Sequence, residues 1–234
     1  MEKAENRELV KYGDLVKRYS NPGKITYQQL LNTTEWHEVR SRILARDHHA
    51  CRECNRRGTA RFSVKKIQEV FKIHDKKPDW RIVGSELKLP NSVSAGHYWM
   101  FSSITLEKFR AAYWDLKYLT LKNNGTNFVL IKSSKPYHLQ VHHRHYIIDN
   151  LPWEYPDNDL QTLCNWCHCL AHKNGYVNFY RKIDGELVKA NFTPCEKCHG
   201  AGWLPQYEHI EDGICFRCQG LKFDELIPKR YRVS

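Results

Sequence analysis

Apolar positions recur at helical spacing in several short stretches of the chain. Leu9, Val10, Leu15 and Val16 form a first helical pattern, closed by the turn chemistry of Asn21-Pro22-Gly23. Trp36, Val39, Ile43 and Leu44 mark one face of a second helix, which Asn32 and Glu35 would cap at capping-box spacing. Arg40, Arg42 and Arg46 lie on or near its other face, and the helix runs directly into Cys51-Arg52-Glu53-Cys54. Further on, 64–73 is amphipathic, 81–83 is short and β-branched, and Tyr98-Trp99-Met100-Phe101 is an apolar run. Residues 105–119 read as a helix with Leu106, Phe109, Tyr113 and Leu116 on one face. Asn123-Asn124-Gly125 reads as a turn, 128–132 as a strand, and a further strand ends at His142. Beyond His172, the runs 177–183 and 186–190 flank Asp184-Gly185, a strong hairpin signal.

These patterns predict an α+β protein in five segments. Residues 1–25 are a helical segment, and 26–56 hold the second helix and a first cysteine knuckle. Residues 57–136 are too long for an ordinary loop and carry their own helix and strand signals, so they predict an α/β insert. Residues 137–175 hold the histidine-rich strand and helix. Residues 176–234 hold the hairpin, four more cysteines and a basic tail, Lys229-Arg230-Tyr231-Arg232.

The 234 residues are 41% hydrophobic, which permits a packed core and excludes a wholly disordered chain. The formal net charge of +11 favours a polyanionic partner, because contact with phosphates releases condensed counterions. The first residues show no apolar targeting core, and no run approaches the ~18 apolar residues of a membrane span. A cytoplasmic protein with no membrane partner is expected. Eight of the nine cysteines fall in four Cys-x-x-Cys pairs: Cys51/Cys54, Cys164/Cys167, Cys195/Cys198 and Cys215/Cys218. In a reducing compartment that spacing points to two four-cysteine zinc sites rather than disulfides, with Cys169 left over to pack as a small apolar residue.

The chemistry concentrates between His142 and His172. His168 and His172 are four positions apart. On a helix they share a face about 5–6 Å apart at Cβ and can hold one metal ion. His142 and His143 are adjacent on a strand and point to opposite faces, so one can complete the metal site while the other stands free as a base. Such a set suits phosphodiester hydrolysis. The ion polarises the phosphate, and a neutral histidine with an ordinary pKa of about 6.5 takes a proton from water.

Several blocks occur in order: Trp36, Arg40, Ile43-Leu44 and Arg46-Asp47, then Cys51-x-x-Cys54, Val141-His142-His143 and Pro152-Trp153-Glu154-Tyr155-Pro156, then Leu163-Cys164-x-x-Cys167-His168-x-x-x-His172. Over residues 27–56 and 137–174 they resemble bacterial HNH endonucleases. The resemblance implies a ββα-metal nuclease core interrupted by the insert, and hydrolysis of DNA to 5′-phosphate and 3′-hydroxyl ends. It implies that His143 is the general base and that His142, His168 and His172 hold a catalytic divalent ion, Mg²⁺ or alternatively Mn²⁺, Ni²⁺ or Zn²⁺. Cys51, Cys54, Cys164 and Cys167 would form a structural zinc site. The family's middle Asn braces the base. Here Asp159 occupies its place and Asn158 precedes it, so either could serve. Arg144 would contact a phosphate. Such nucleases act in restriction, phage defence or mobile elements, where a regulatory or recruiting protein could dock on the insert or the C-terminal module. The alternative is a non-catalytic, zinc-dependent nucleic-acid-binding module.

Cys195-x-x-Cys198-His199-Gly200 and Cys215-x-x-Cys218-Gln219-Gly220 resemble the cysteine-rich zinc repeats of DnaJ-type co-chaperones, over about 25 residues. A zinc ribbon is expected, with metal binding supplying the folding energy. Lys197, Arg217, Lys222 and the tail cations could touch DNA or form a solvated basic face. Trp203, Tyr207 and Phe216 could stack on bases, with a small core the better expectation.

Overall fold

The computed structural model describes residues 9–19, 25–63, 95–116, 118–123, 126–148, 150–174, 177–207, 210 and 213–227. In chain order the helices are α1 (Tyr12–Lys17), α2 (Tyr27–Leu31), α3 (Thr34–Arg46), α4 (Ser103–Phe109) and α5 (Asn165–Lys173). The strands are β1 (Ala60–Phe62), β2 (Gly96–Ser102), β3 (Tyr118–Asn123), β4 (Thr126–Ser133), β5 (Leu139–His143), β6 (His145–Ile147), β7 (Leu160–Cys164), β8 (Asn178–Ile183) and β9 (Glu186–Lys189). The architecture is mixed α+β and divides into two compact units. One takes the chain up to Arg52 and from Gln140 onward, and the other is Glu53–Leu139.

In the first unit, α3 buries Trp36, Val39, Ile43 and Leu44, the face its periodicity predicts. Its cap differs from expectation. Thr33, not Asn32, is the N-cap and accepts the N–H of Trp36 at 3.4 Å. Thr33 is extended and bridges Val10, whereas Asn32 still closes α2. Glu35 is thereby released to accept the N–H of Tyr12 at 3.0 Å. The capping box of this region lies one helix earlier, between Thr26 and Gln29.

The C-terminal end of α3 is tied to β7. Asp47 is buried and accepts the Thr162 N–H at 2.8 Å and Arg46 Nε at 2.9 Å. Arg52 N–H donates to the Thr162 carbonyl at 2.8 Å. Arg42 and Arg46, on the polar face of α3, reach the turn Asp157–Asp159 and the Leu160 carbonyl. Strand β7 pairs with β5 and passes without a loop into α5, whose N-cap is Cys164. Strand β6 runs parallel to β8, and β8 forms a hairpin with β9. Asp184 and Gly185 turn that hairpin at φ 49° and 87°, as an Asp-Gly type I′ turn requires.

The second unit is a four-stranded antiparallel sheet of order β1-β2-β4-β3. Tyr98, Trp99 and Phe101 from β2 pack with Phe109, Tyr113 and Tyr137 in its core. The helix expected over 105–119 is shorter. Helix α4 ends at Phe109, a single 3-10 turn follows, and the chain is a strand from Tyr118. Tyr113 turns inward between Trp99 and Phe101, and its hydroxyl accepts the Arg57 N–H at 2.7 Å. That buried aromatic anchor and the pairing of β3 with β4 outweigh helical periodicity. The patterns read at 21–23, 64–73 and 81–83, most of the turn at 123–125, and the basic tail lie outside the described residues.

Candidate metal and catalytic centre

Strand β5 and helix α5 bring three histidines together. His142 projects from the strand, and His168 and His172 project from one face of the helix. The nitrogen each can offer lies within 4.8 Å of the others. All three rings are buried and meet edge to face at 4.8–5.1 Å between centroids. Among the described residues His142 Nδ1, His168 Nδ1 and His172 Nε2 have no hydrogen-bond partner. Buried polar atoms are seldom left so, and three converging lone pairs are what a metal ion needs. Burial pushes His142 down to about 3 and His172 down to about 2, with His168 also well below its ordinary value. These imidazoles are therefore neutral at cellular pH, the form that ligates. Among the described residues the cluster offers three ligands to one ion.

His143 points the other way. Its ring stacks on Trp36 at 5.4 Å and 15°, and meets the edge of Tyr155 at 4.5 Å. Its Nε2 lies 2.8 Å from the carbonyl oxygen of Pro152. A carbonyl only accepts, so the proton belongs on Nε2 and the lone pair on Nδ1. Burial pushes this histidine down to about 3, against the Pro152 bond, which favours the charged form.

The two candidates for the brace do other things. Asp159 accepts the Arg144 N–H through its main-chain carbonyl at 2.8 Å, and its carboxylate stands 3.7 Å from His145 Nε2. Asn158 is exposed and lines a cavity of about 270 Å³ with Arg46, Asp47, Arg52, Arg144 and Leu160. Among the described residues neither side chain bonds His143; the Pro152 carbonyl holds it. A main-chain acceptor leaves no mark in a side-chain pattern, although Pro152 sits in one of the motif blocks.

Two four-cysteine clusters fit two structural zinc ions: Cys51, Cys54, Cys164 and Cys167, and Cys195, Cys198, Cys215 and Cys218. In the second, Sγ–Sγ separations are 3.9 Å for Cys195–Cys215 and 3.6 Å for Cys198–Cys218. A tetrahedron with Zn–S bonds of ~2.3 Å has edges of about 3.8 Å, whereas a disulfide would need ~2.05 Å. The Gly202 N–H donates to Cys198 Sγ at 3.2 Å. Cys169 is half-buried in α5, outside both clusters.

The described cations of the C-terminal module have three different surroundings. Arg217 pairs with Asp224, and Lys197 lies over the Phe216 ring at 5.3 Å. Lys222 is buried, and that burial pulls its ammonium down to about 7, opposed by the thiolates of Cys198 and Cys218. Of the aromatics, Tyr207 packs on the cysteine core, and Phe216 is exposed. Among the described residues no helix is long and apolar enough to cross a membrane. No family model, curated protein or solved structure matches the chain.

Proposed function

We propose that this protein is a metal-dependent endonuclease of the HNH type that hydrolyses DNA phosphodiester bonds. One observation carries the reading. Among the described residues three histidine nitrogens without partners converge on one face of β5 and α5, and the neighbouring His143 is held on the other face in the tautomer that leaves its lone pair on Nδ1. A divalent ion held by His142, His168 and His172 would polarise the phosphate and offset charge on the leaving oxygen. An all-imidazole set suits Zn²⁺ or Ni²⁺ better than Mg²⁺ or Mn²⁺. His143 would accept the proton of the attacking water at Nδ1. Arg144, exposed at the polar cavity, and the +11 net charge would draw the DNA backbone to the site.

Plasmid nicking by the purified protein, with Mn²⁺, Ni²⁺ and Mg²⁺ in turn, tests this. His143→Ala should lower the rate by roughly 10²–10⁴-fold, the usual worth of a general base. Equal cutting by the variant would remove His143 from the mechanism. Tight DNA binding without cutting, by wild type and variant alike, would favour the zinc-dependent binding module.

A further inference from the structure

The two knuckles of the C-terminal module follow one pattern over eight positions, with both cysteines and the glycine two residues after the second cysteine in common. Cys195-Glu196-Lys197-Cys198-His199-Gly200-Ala201-Gly202 aligns with Cys215-Phe216-Arg217-Cys218-Gln219-Gly220-Leu221-Lys222. The backbone repeats too. His199 and Gln219 have φ 51° and 52°, Gly200 and Gly220 have 83° and 80°, and Gly202 and Lys222 have 75° and 73°. At the eighth position, therefore, the first copy carries glycine and the second carries lysine in the same left-handed conformation. A side chain there is disfavoured relative to glycine, and such strain clusters at functional sites.

The Lys222 side chain is also in an expensive place. It is only 7% exposed. Its ammonium stands 3.6 Å from the Tyr146 ring centroid and 4.0 Å from that of Tyr27. The main chain of Lys222 belongs to the zinc site: its N–H bonds Cys218 Sγ, and its carbonyl accepts the Cys195 N–H at 2.8 Å. The side chain reaches the other way, onto the Tyr146 ring, whose centroid stands 6.3 Å from that of His172 and 5.3 Å from that of His143. The first knuckle is seated on one of the same histidines, since a Cβ on Gly200 would lie 3.8 Å from His172 Nδ1.

Among the described residues no carboxylate acts on Lys222; the only anions that do are thiolates of the zinc site. The histidine set contains no carboxylate either. A buried ammonium stacked on Tyr146, next to the neutral imidazole of His172, adds positive charge to the cluster, and a divalent ion would add two more. Like charges this close are tolerable when an anion lies between them. A lysine ammonium is a compact donor well suited to a phosphate oxygen.

We propose that Lys222 is a catalytic residue of the three-histidine site, its ammonium taking a non-bridging oxygen of the phosphate under attack. The proposal rests on the nuclease reading. Water oxygen bonds to phosphorus, the P–O3′ bond breaks with its electron pair on O3′, and the water proton passes to His143 Nδ1. O3′ takes a proton from solvent, and Lys222 keeps its own throughout, offsetting charge on the phosphoryl oxygens. The zinc module is thus part of the active site, holding this cation over it.

The test uses the full chain loaded with Ni²⁺ and three variants. Lys222→Gly restores the repeat's glycine and suits the backbone, Lys222→Met keeps the stem without the charge, and Lys222→Arg keeps the charge. Metal content, calorimetric binding of inorganic phosphate, and plasmid cleavage are measured on each. The glycine and methionine variants should keep their metals, bind phosphate at least ~10-fold more weakly, and lose roughly 10²-fold in kcat. Lys222→Arg should recover part of both. If Lys222→Gly fails to hold zinc, Lys222→Met carries the same expectation. Unchanged phosphate binding in the neutral variants, with DNA still cut, overturns the proposal and leaves the nuclease reading standing. Faster cutting also overturns it, by making Lys222 a plug. Weakened phosphate binding in a protein that never cuts DNA supports the anion site and defeats the nuclease reading instead.

Discussion

The carbonyl oxygen of Pro152 fixes which nitrogen of His143 is basic, because at 2.8 Å it can only accept the Nε2 proton. A side chain that satisfies the carbonyl but cannot take a proton should separate structure from chemistry. His143→Asn is expected to melt within a few degrees of wild type, retain its metals, and cleave DNA roughly 10²–10⁴-fold more slowly. Circular dichroism melts with a plasmid assay check this. A rate near wild type would mean that the base lies elsewhere.

Asp47 holds α3 to β7 through a buried carboxylate that accepts from Thr162 N–H and from Arg46. Asp47→Ala strands a wholly buried N–H and an arginine at once. It should cost about 2–4 kcal/mol of stability. Urea unfolding of wild type and variant measures the difference, and a change below about 0.5 kcal/mol would place the link outside the stability of the fold.

Acid should destabilise the protein in a definite window. The histidine pKa values are depressed in the folded chain, to about 3 for His142 and His143 and about 2 for His172. A depressed value means the unfolded chain binds more protons between the two pKa values. The stability these groups contribute is therefore complete above the unfolded value of ~6.5 and declines as pH falls through about 3. Asp47, also lowered by Arg46 and Thr162 against the effect of burial, adds a loss below the ordinary carboxylate range. Melting temperatures measured from pH 8 to pH 4 should fall steadily below about 6.5. A flat profile would contradict the burial of these rings.

Metal content should follow the three clusters. Native protein is expected to carry two tightly held zinc ions and one exchangeable ion in the histidine set. Cys51→Ser and Cys195→Ser should each lose one zinc and lower the melting temperature, while His168→Ala should lose only the exchangeable ion. Elemental analysis after dialysis against a mild chelator distinguishes the three cases. A single zinc in the wild type would refute the pairing of eight cysteines into two sites.

Side-chain chemistry at short spacing is legible in this sequence. His168 and His172 share a face because a helix repeats near every fourth residue. His142 and His143 part company because a strand alternates. Asp184-Gly185 announces its turn. What escapes the sequence is decided at long range. The cap of α3 moves to Thr33 because Val10 bridges it, and the helix over 105–119 stops early because Tyr113 is drawn into an aromatic core. Asn158 and Asp159 look like the brace, yet the bond to His143 comes from a main-chain carbonyl. Lys222 reads as one more surface cation of a basic chain, and only its aromatic cage shows otherwise.

The bond between Asp47 and Thr162 spans 115 positions of chain, and it sets an order of events during synthesis. The unit Glu53–Leu139 can close on itself as soon as it emerges, because its sheet pairs its own strands. The centre cannot form then, since α3 and Cys51 must wait for β7 and α5 to leave the ribosome. From Leu139 to the end of α5 at Lys173 the interval, at ~5–20 residues per second, is roughly 2–7 s. During it the strands β1–β4 can be paired while the histidine cluster and the cluster of Cys51, Cys54, Cys164 and Cys167 are still incomplete. Chains truncated before β7, at residue 159, should protect the paired strands β2 and β4 from protease and leave DNA intact, and a truncated chain that cuts would disprove this order of assembly.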